Sequence, residues 1–258
     1  MITDCHIHSF AKTEAPQTGA YVPPARDIRD YMDEAAPLGV RRAVVVQASV
    51  DGTDNSRLVE VLGNAGPVAL RGVAMIDADA DLQALHAAGI RATRIQDRAR
   101  LGASALDQLP ELAKRVAEIG WHIELNTEPR SFDRLADMVV DLPEGLRLVL
   151  DHMGHADPAA PAPLFRLLET GRVWAKLSPT RVSTDIGHYG DLSALVERLG
   201  SAFPDQIIWG SDWPHVMTPE PVPEIPPMLE LCRRALSQDN FTRCMWGNPE
   251  RLYGFGCF

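Results

Sequence analysis

Ile2-Thr3-Asp4-Cys5-His6-Ile7-His8 is an apolar strand interrupted by polar side chains, and the fold turns on what this strand meets. Residues on a strand alternate between its two faces, so His6 and His8 share a face with Asp4 one step behind them. Near the other end of the chain, Ile207-Ile208-Trp209-Gly210-Ser211-Asp212-Trp213-Pro214-His215 is a second apolar strand that ends on an acid. A sheet closed on itself would set the last strand beside the first and bring Asp212 to His6 and His8.

The intervening chain supports closure. β-rich runs at Ala43–Gln47, Val68–Ile76, Ile90–Ile95, Trp121–Leu125, Leu146–Leu150 and Val173–Leu177 separate the first strand from the last, Ile207–Trp209. The uninterrupted Ala43-Val44-Val45-Val46 marks a strand buried on both faces. Helices are predicted over Arg26–Leu38, Ser56–Leu62, Asp81–Ala88, Ala105–Ile119, Phe132–Val140 and Leu192–Leu199. The longest carries Leu106, Leu109, Leu112, Val116 and Ile119 on one stripe. Ser9–Ala25, Ala156–Pro163 and Pro214–Pro227 read as loops, with the last helices after Pro227. Eight strands alternating with helices predict an α/β chain, a closed (β/α)8 TIM barrel in one domain over residues 1–258. A doubly wound open sheet is the competing arrangement, and it lacks its Gly-rich phosphate turn after the first strand.

The 258 residues are 45% hydrophobic and 23% charged, enough for a large core. A net charge of -10 argues against general affinity for nucleic acid or acidic membrane surfaces. Cys5, Cys232, Cys244 and Cys257 form no CxxC pair, which points to a reducing compartment. The chain shows neither a signal peptide nor a run of about 18 apolar residues, so a cytoplasmic location is expected.

Catalytic groups of such barrels sit at the C-terminal ends of the strands. The polar residues there are His6 and His8, Gln47 and Ser49, Arg94, Glu124 and Asn126, Asp151 and His152, Lys176 and Ser178, and Asp212, all expected to face one mouth. Asp4 lies deeper and reads as a supporting partner. Lys176 is either a cation on the ligand side or a structural partner of Asp151 or Asp4. His215 is placed to orient the loop after the last strand. His86, His122 and His188 read as helix, core or loop histidines, and Asn248-Pro249 near Tyr253 as packing.

Asp-x-His-x-His at the start, Leu150-Asp151-His152-Met153-Gly154, Ala175-Lys176-Leu177-Ser178, Gly210-Ser211-Asp212-Trp213-Pro214-His215 and Gly247-Asn248-Pro249-Glu250-Arg251-Leu252-Tyr253-Gly254-Phe255 together resemble the amidohydrolase superfamily. Within it they are similar to the amidohydrolase 2 branch of lactonases typified by 2-pyrone-4,6-dicarboxylate hydrolase. The resemblance implies a distorted barrel in which a carboxylate base acts on water, without a metal. By it Asp212 matches the base, and His6, His8 and His152 match the histidines around the scissile carbonyl. Tyr21, Ser49, Arg94, Arg100 and Arg181 match groups that hold substrate carboxylates, with Arg98 competing for the place of Arg100. Metal-dependent members usually carry a histidine at the end of strand five. Here Glu124-Leu125-Asn126 stands there, and His122 comes too early.

Lactone hydrolysis needs a base for water and donors for the developing oxyanion. Burial would raise an Asp212 base above the ordinary carboxylate pKa, and neighbouring arginines would lower it. Arginine binds a carboxylate through two parallel hydrogen bonds, which suits a small anionic lactone as partner. The resulting expectation is metal-independent hydrolysis of a carboxylated lactone. A sugar-lactone isomerase or lactonase is the nearest alternative, for which Asn126, Glu124 and Gln47 suit a polyhydroxylated substrate. A metal-dependent decarboxylase, with zinc or manganese at His6, His8 and Asp212, and a barrel that only binds a dianion complete the field.

Overall fold

Eight parallel strands pair in sequence order: β1 (Ile2–Ile7), β2 (Val40–Val46), β3 (Ala69–Ala74), β4 (Ile90–Gln96), β5 (His122–Asn126), β6 (Leu148–Leu150), β7 (Val173–Leu177) and β8 (Ile207–Trp209). The computed structural model describes residues 1–11, 21–64, 66, 68–102, 104–218 and 220–256. Much of the predicted loop Ser9–Ala25, and Cys257, lie outside the described residues. Cys5, Cys232 and Cys244 are buried free thiols. Among the described residues no helix is long and apolar enough to cross a membrane.

The barrel closes just past the end of β8. Trp213 bridges Ile7, the Asp212 amide donates to His6 O at 2.8 Å, and the His8 amide donates to Trp213 O at 2.8 Å. Gly210 permits this approach, because a Cβ there would lie 2.6 Å from His6 Cβ and 3.0 Å from its backbone nitrogen. Closure therefore places Asp212 against β1 by main-chain bonds, as the two terminal strands led one to expect.

One detail of the first strand departs from strict alternation. Asp4 pairs with Ala43 and Ile7 with Val45, three residues of β1 spanning two of β2. This bulge leaves Asp4 on the helix side, where Tyr31 Oη donates to its Oδ2 at 2.9 Å and the Ser211 amide to its Oδ1 at 2.9 Å. Cys5 packs into the apolar interior, and His6 turns inward as well. Asp4 therefore does not share the face of His6 and His8, since the inserted residue breaks the two-residue period.

The helices are α1 (Ile28–Ala35), α2 (Ser56–Gly63), α3 (Leu82–Ala87), α4 (Leu109–Ala117), α5 (Phe132–Asp141), α6 (Ala162–Leu168), α7 (Ser193–Ala202), α8 (Ile225–Ala235), α9 (Gln238–Thr242) and α10 (Asn248–Tyr253). Two predicted loops run too far. α6 and α8 begin inside Ala156–Pro163 and Pro214–Pro227, with prolines in their first turn, where the missing N–H has no helical partner to lose. The predicted helix Ala105–Ile119 begins instead as a 3-10 turn, Ala105–Gln108, ahead of α4. The outer core lies between strands and helices. A second apolar layer fills the barrel interior, where Val44, Val46, Val149, Trp174 and Ile208 meet Leu252, Tyr253 and Phe255 from the C-terminal end. That plug closes one end of the barrel and leaves the other open.

Candidate active site

The open end holds a cavity of about 310 Å³. Asp212 lines its floor, 1% exposed, in a left-handed backbone conformation (φ 66°). Its Oδ2 accepts from Arg181 Nε at 2.6 Å and Thr180 Oγ1 at 3.4 Å. Its Oδ1 lies 3.6 Å from His6 Nε2 and 3.6 Å from His8 Nε2. Burial pushes the carboxyl up, but the interactions led by the Arg181 charge hold Asp212 well below the usual range. The opposition left open by the sequence is thus resolved in favour of the arginine, and Asp212 is a carboxylate near neutral pH.

Each histidine presents different chemistry. His8 Nδ1 lies 2.7 Å from Val46 O, and a carbonyl only accepts, so this nitrogen carries the proton. The other ring nitrogen, Nε2, is turned toward Asp212. His152 comes from a turn in which residues 152–155 all have left-handed backbones, a conformation costing non-glycine residues about 1–2 kcal/mol each. Gly154 is needed within that turn, since a Cβ would fall 2.6 Å from the Phe132 ring. His152 Nδ1 is 3.0 Å from Ser178 Oγ, and burial holds the ring neutral. His6 is fully buried beneath this layer and is not on the cavity wall. Burial and the Lys176 charge push its pKa down to about 4.

Beneath His6 lies a cluster of buried charges. Lys176 Nζ contacts Glu124 Oε2 at 2.7 Å, Asp151 Oδ1 at 3.0 Å and His6 Nδ1 at 3.2 Å. Arg94 grips Asp151 Oδ2 through Nε at 2.9 Å and Nη2 at 2.8 Å. Burial would raise Glu124, yet the Lys176 ammonium brings it down to about 2. Lys176 is thus a partner of Asp151 and Glu124, and Asp4 is not among its neighbours here.

Of the other anticipated residues, Tyr21, Ser49, Arg94, Arg100, Arg181 and Asn126 line the cavity, and Arg98 lines it too while pairing with Glu128. Burial pushes the Tyr21 phenol up to about 12, so it stays an O–H donor. Gln47, expected at the mouth, does not line the cavity. Its amide donates to Gly52 O and Asp54 O, and its Oε1 accepts from Asn55 and the Met75 amide, which commits every polar atom to the turns after β2 and β3. Glu124 likewise faces Lys176 below the cavity and not the mouth. His215 is buried beside Asp212, its pKa pushed to about 4 mainly by burial. Gln96, His155, Val216 and Met217 also line the cavity and were not anticipated. Gln96 was legible, two residues beyond Arg94 on the same strand face; His155 was not, because its place depends on the left-handed turn. His155 Nε2 is 3.1 Å from Asn126 Oδ1, and Asn126 Nδ2 donates to Gln96 Oε1 at 2.8 Å.

Two sets of ligand-type atoms converge among the described residues, His6–His8–Asp212 and His6–Asp151–His152. Both depend on His6, whose Nδ1 faces the Lys176 ammonium.

A model of the amidohydrolase family matches residues 3–255. A 2-pyrone-4,6-dicarboxylate hydrolase of Comamonas testosteroni is 34% identical over 245 residues, covering 83% of this chain and 78% of the relative. A 4-sulfomuconolactone hydrolase of Rhizobium radiobacter is 29% identical over 272 residues, 97% of this chain and 89% of its own. A D-galactarolactone isomerase of Agrobacterium fabrum is 27% identical over 238 residues, 87% and 80%. The apo crystal structure of an Agrobacterium tumefaciens protein matches with a TM-score of 0.86 at 25% identity, covering 100% of this chain and 97% of that one.

Proposed function

This chain belongs to the amidohydrolase family, and on that premise we propose that it hydrolyses a small carboxylated lactone of the 2-pyrone-4,6-dicarboxylate type without a metal. The observation that carries this reading is the Asp212 carboxylate on the cavity floor, with Oδ2 held by Arg181 and Oδ1 open beside His8 Nε2. With the one proton of His8 on Nδ1, its Nε2 and Asp212 Oδ1 are two acceptors facing one corner. A water there gives one hydrogen to each and turns its lone pair to the lactone carbonyl. As the C–O bond forms, Asp212 takes the proton; as the ring C–O bond breaks, it returns the proton to the leaving oxygen. With Ser178 Oγ donating to His152 Nδ1, the His152 Nε2–H is a donor to the carbonyl oxygen, where losing one such donor costs on the order of 100–1,000-fold. His6 acts from below Asp212.

Arg181 has two roles in this scheme. It keeps Asp212 ionised in the resting cavity. A substrate carboxylate competing for the guanidinium weakens that hold and makes Asp212 a better base. The C-terminal end of β5 carries Asn126 where metal-dependent members carry a histidine, with His122 at the other end of the strand, and this supports chemistry without a metal.

Replacing the base tests this directly. Asp212→Asn should lower kcat/KM on 2-pyrone-4,6-dicarboxylate by roughly 100–10,000-fold, read by absorbance. Turnover within a few-fold of the wild type would remove Asp212 from the reaction. A second reading, isomerisation of a sugar lactone, is favoured by the Gln96–Asn126–His155 chain, which suits hydroxyl groups, and by the isomerase relative. NMR of the product separates the two, since an isomerase returns a lactone and a hydrolase an open acid.

A further inference from the structure

We propose that Lys176 is a positioning residue that locks His6 in the tautomer with its proton on Nε2, facing Asp212. Lys176 is fully buried, and its Nζ lies 3.2 Å from His6 Nδ1. An ammonium has no lone pair, so at that contact it can only donate, and Nδ1 must accept. The one proton of a neutral imidazole is then on Nε2. Asp151 Oδ1 lies 3.2 Å from the same Nδ1 and would favour the opposite tautomer, but its charge is met by Lys176 Nζ at 3.0 Å. Lys176 cannot surrender its charge, because Glu124 Oε2 at 2.7 Å and Asp151 Oδ1 at 3.0 Å both require it.

The lock is anchored from the far end of the barrel. Tyr253 Oη in α10 donates to Glu124 Oε1 at 2.6 Å, which leaves Oε2 to Lys176. A chain of contacts thus runs Tyr253–Glu124–Lys176–His6–Asp212, drawing on α10, β5, β7, β1 and the turn after β8. His6 Nε2 is buried without a hydrogen-bond partner in the resting site, 3.6 Å from Asp212 Oδ1. A proton there is a donor held ready below the carboxylate. It also removes the lone pair that a metal would need, so His6, His8 and Asp212 do not fit a divalent ion as a set. The tautomer follows from the geometry alone, and its effect on turnover rests on the lactonase reading.

Long-range proton–nitrogen NMR of the ¹⁵N-labelled protein tests it, with the His6 signals identified by their loss in His6→Asn. The wild type should show His6 with a protonated Nε2 and a bare Nδ1, unchanged on titration with zinc. A protonated Nδ1 would overturn the proposal without touching the lactonase reading, and His6 signals shifted by stoichiometric zinc would overturn the proposal together with the metal-free part of that reading. The paired variant Lys176→Met/Glu124→Gln removes one charge of each sign and leaves Arg94 with Asp151. In it His6 should move toward the Nδ1–H form, and kcat should fall roughly 10–100-fold with KM nearly unchanged. A folded paired variant that keeps the wild-type tautomer or the wild-type kcat would contradict Lys176 as its cause.

Discussion

In the proposed reaction Arg181 is the residue at which binding and chemistry meet. Removing it takes away a charge-assisted hydrogen bond to substrate worth about 1.5–3 kcal/mol, roughly 10–100-fold in affinity. Arg181→Met should therefore raise KM for a dicarboxylate by that factor and leave KM for a neutral lactone nearly unchanged. The same substitution lifts a charge that holds Asp212 down, so the acid limb of the kcat/KM profile should move to higher pH. Equal KM effects on both substrates would remove Arg181 from carboxylate binding. At this scale residue type was legible in the sequence and committed partners were not. Arg181 and Asp212 stand out as charges after apolar strands. Gln47 has the same appearance, yet its amide is consumed by the turns around it. The protons of His8 and His6 could not be read at all, because Val46 O and Lys176 assign them.

The decisive element is the junction of β1 with the turn after β8. Gly210→Ala would force a methyl group within 2.6 Å of His6 Cβ and 3.0 Å of the backbone, where no flexible side chain can yield. Overpacking of this kind costs typically about 1–3 kcal/mol, and here the strain falls on the two strands that position the site. Urea denaturation should show that loss together with lower kcat, and wild-type stability would mean that the junction has slack. The number and order of the strands were legible, since buried strands keep their apolar runs. The bulge in β1 was not, because it depends on register with β2 and leaves no trace in the pattern of residue types. The prolines that open α6 and α8 misled for a related reason, being as compatible with a first helical turn as with a loop.

Across the whole molecule, burial sets the response to pH. His6, His155 and His215 each have their pKa pushed down to about 4 from 6.5, with burial the largest cause. Between those values the unfolded chain takes up protons that the folded chain refuses, so stability falls as pH falls through that window. Asp4 opposes this. Burial raises it to about 6 from 3.8, so the folded chain holds a proton that the unfolded chain has lost, and stability rises as pH falls through about 6. These histidines, with His122 and His152 displaced in the same direction, outweigh Asp4, leaving a net loss on the order of a few kcal/mol between pH 7 and pH 5. The melting temperature should drop by roughly 5–15 °C over that interval, as calorimetry would record. A flat profile would mean that these histidines are hydrated.

In the proposed reaction a carboxylate activates water without a metal, in a cavity lined by Arg98, Arg100 and Arg181. Hydrolysis of 2-pyrone-4,6-dicarboxylate by the wild type, followed before and after exhaustive chelation, tests that claim most directly. The expected result is turnover that chelation leaves unchanged; turnover that disappears on chelation and returns with zinc or manganese would contradict it.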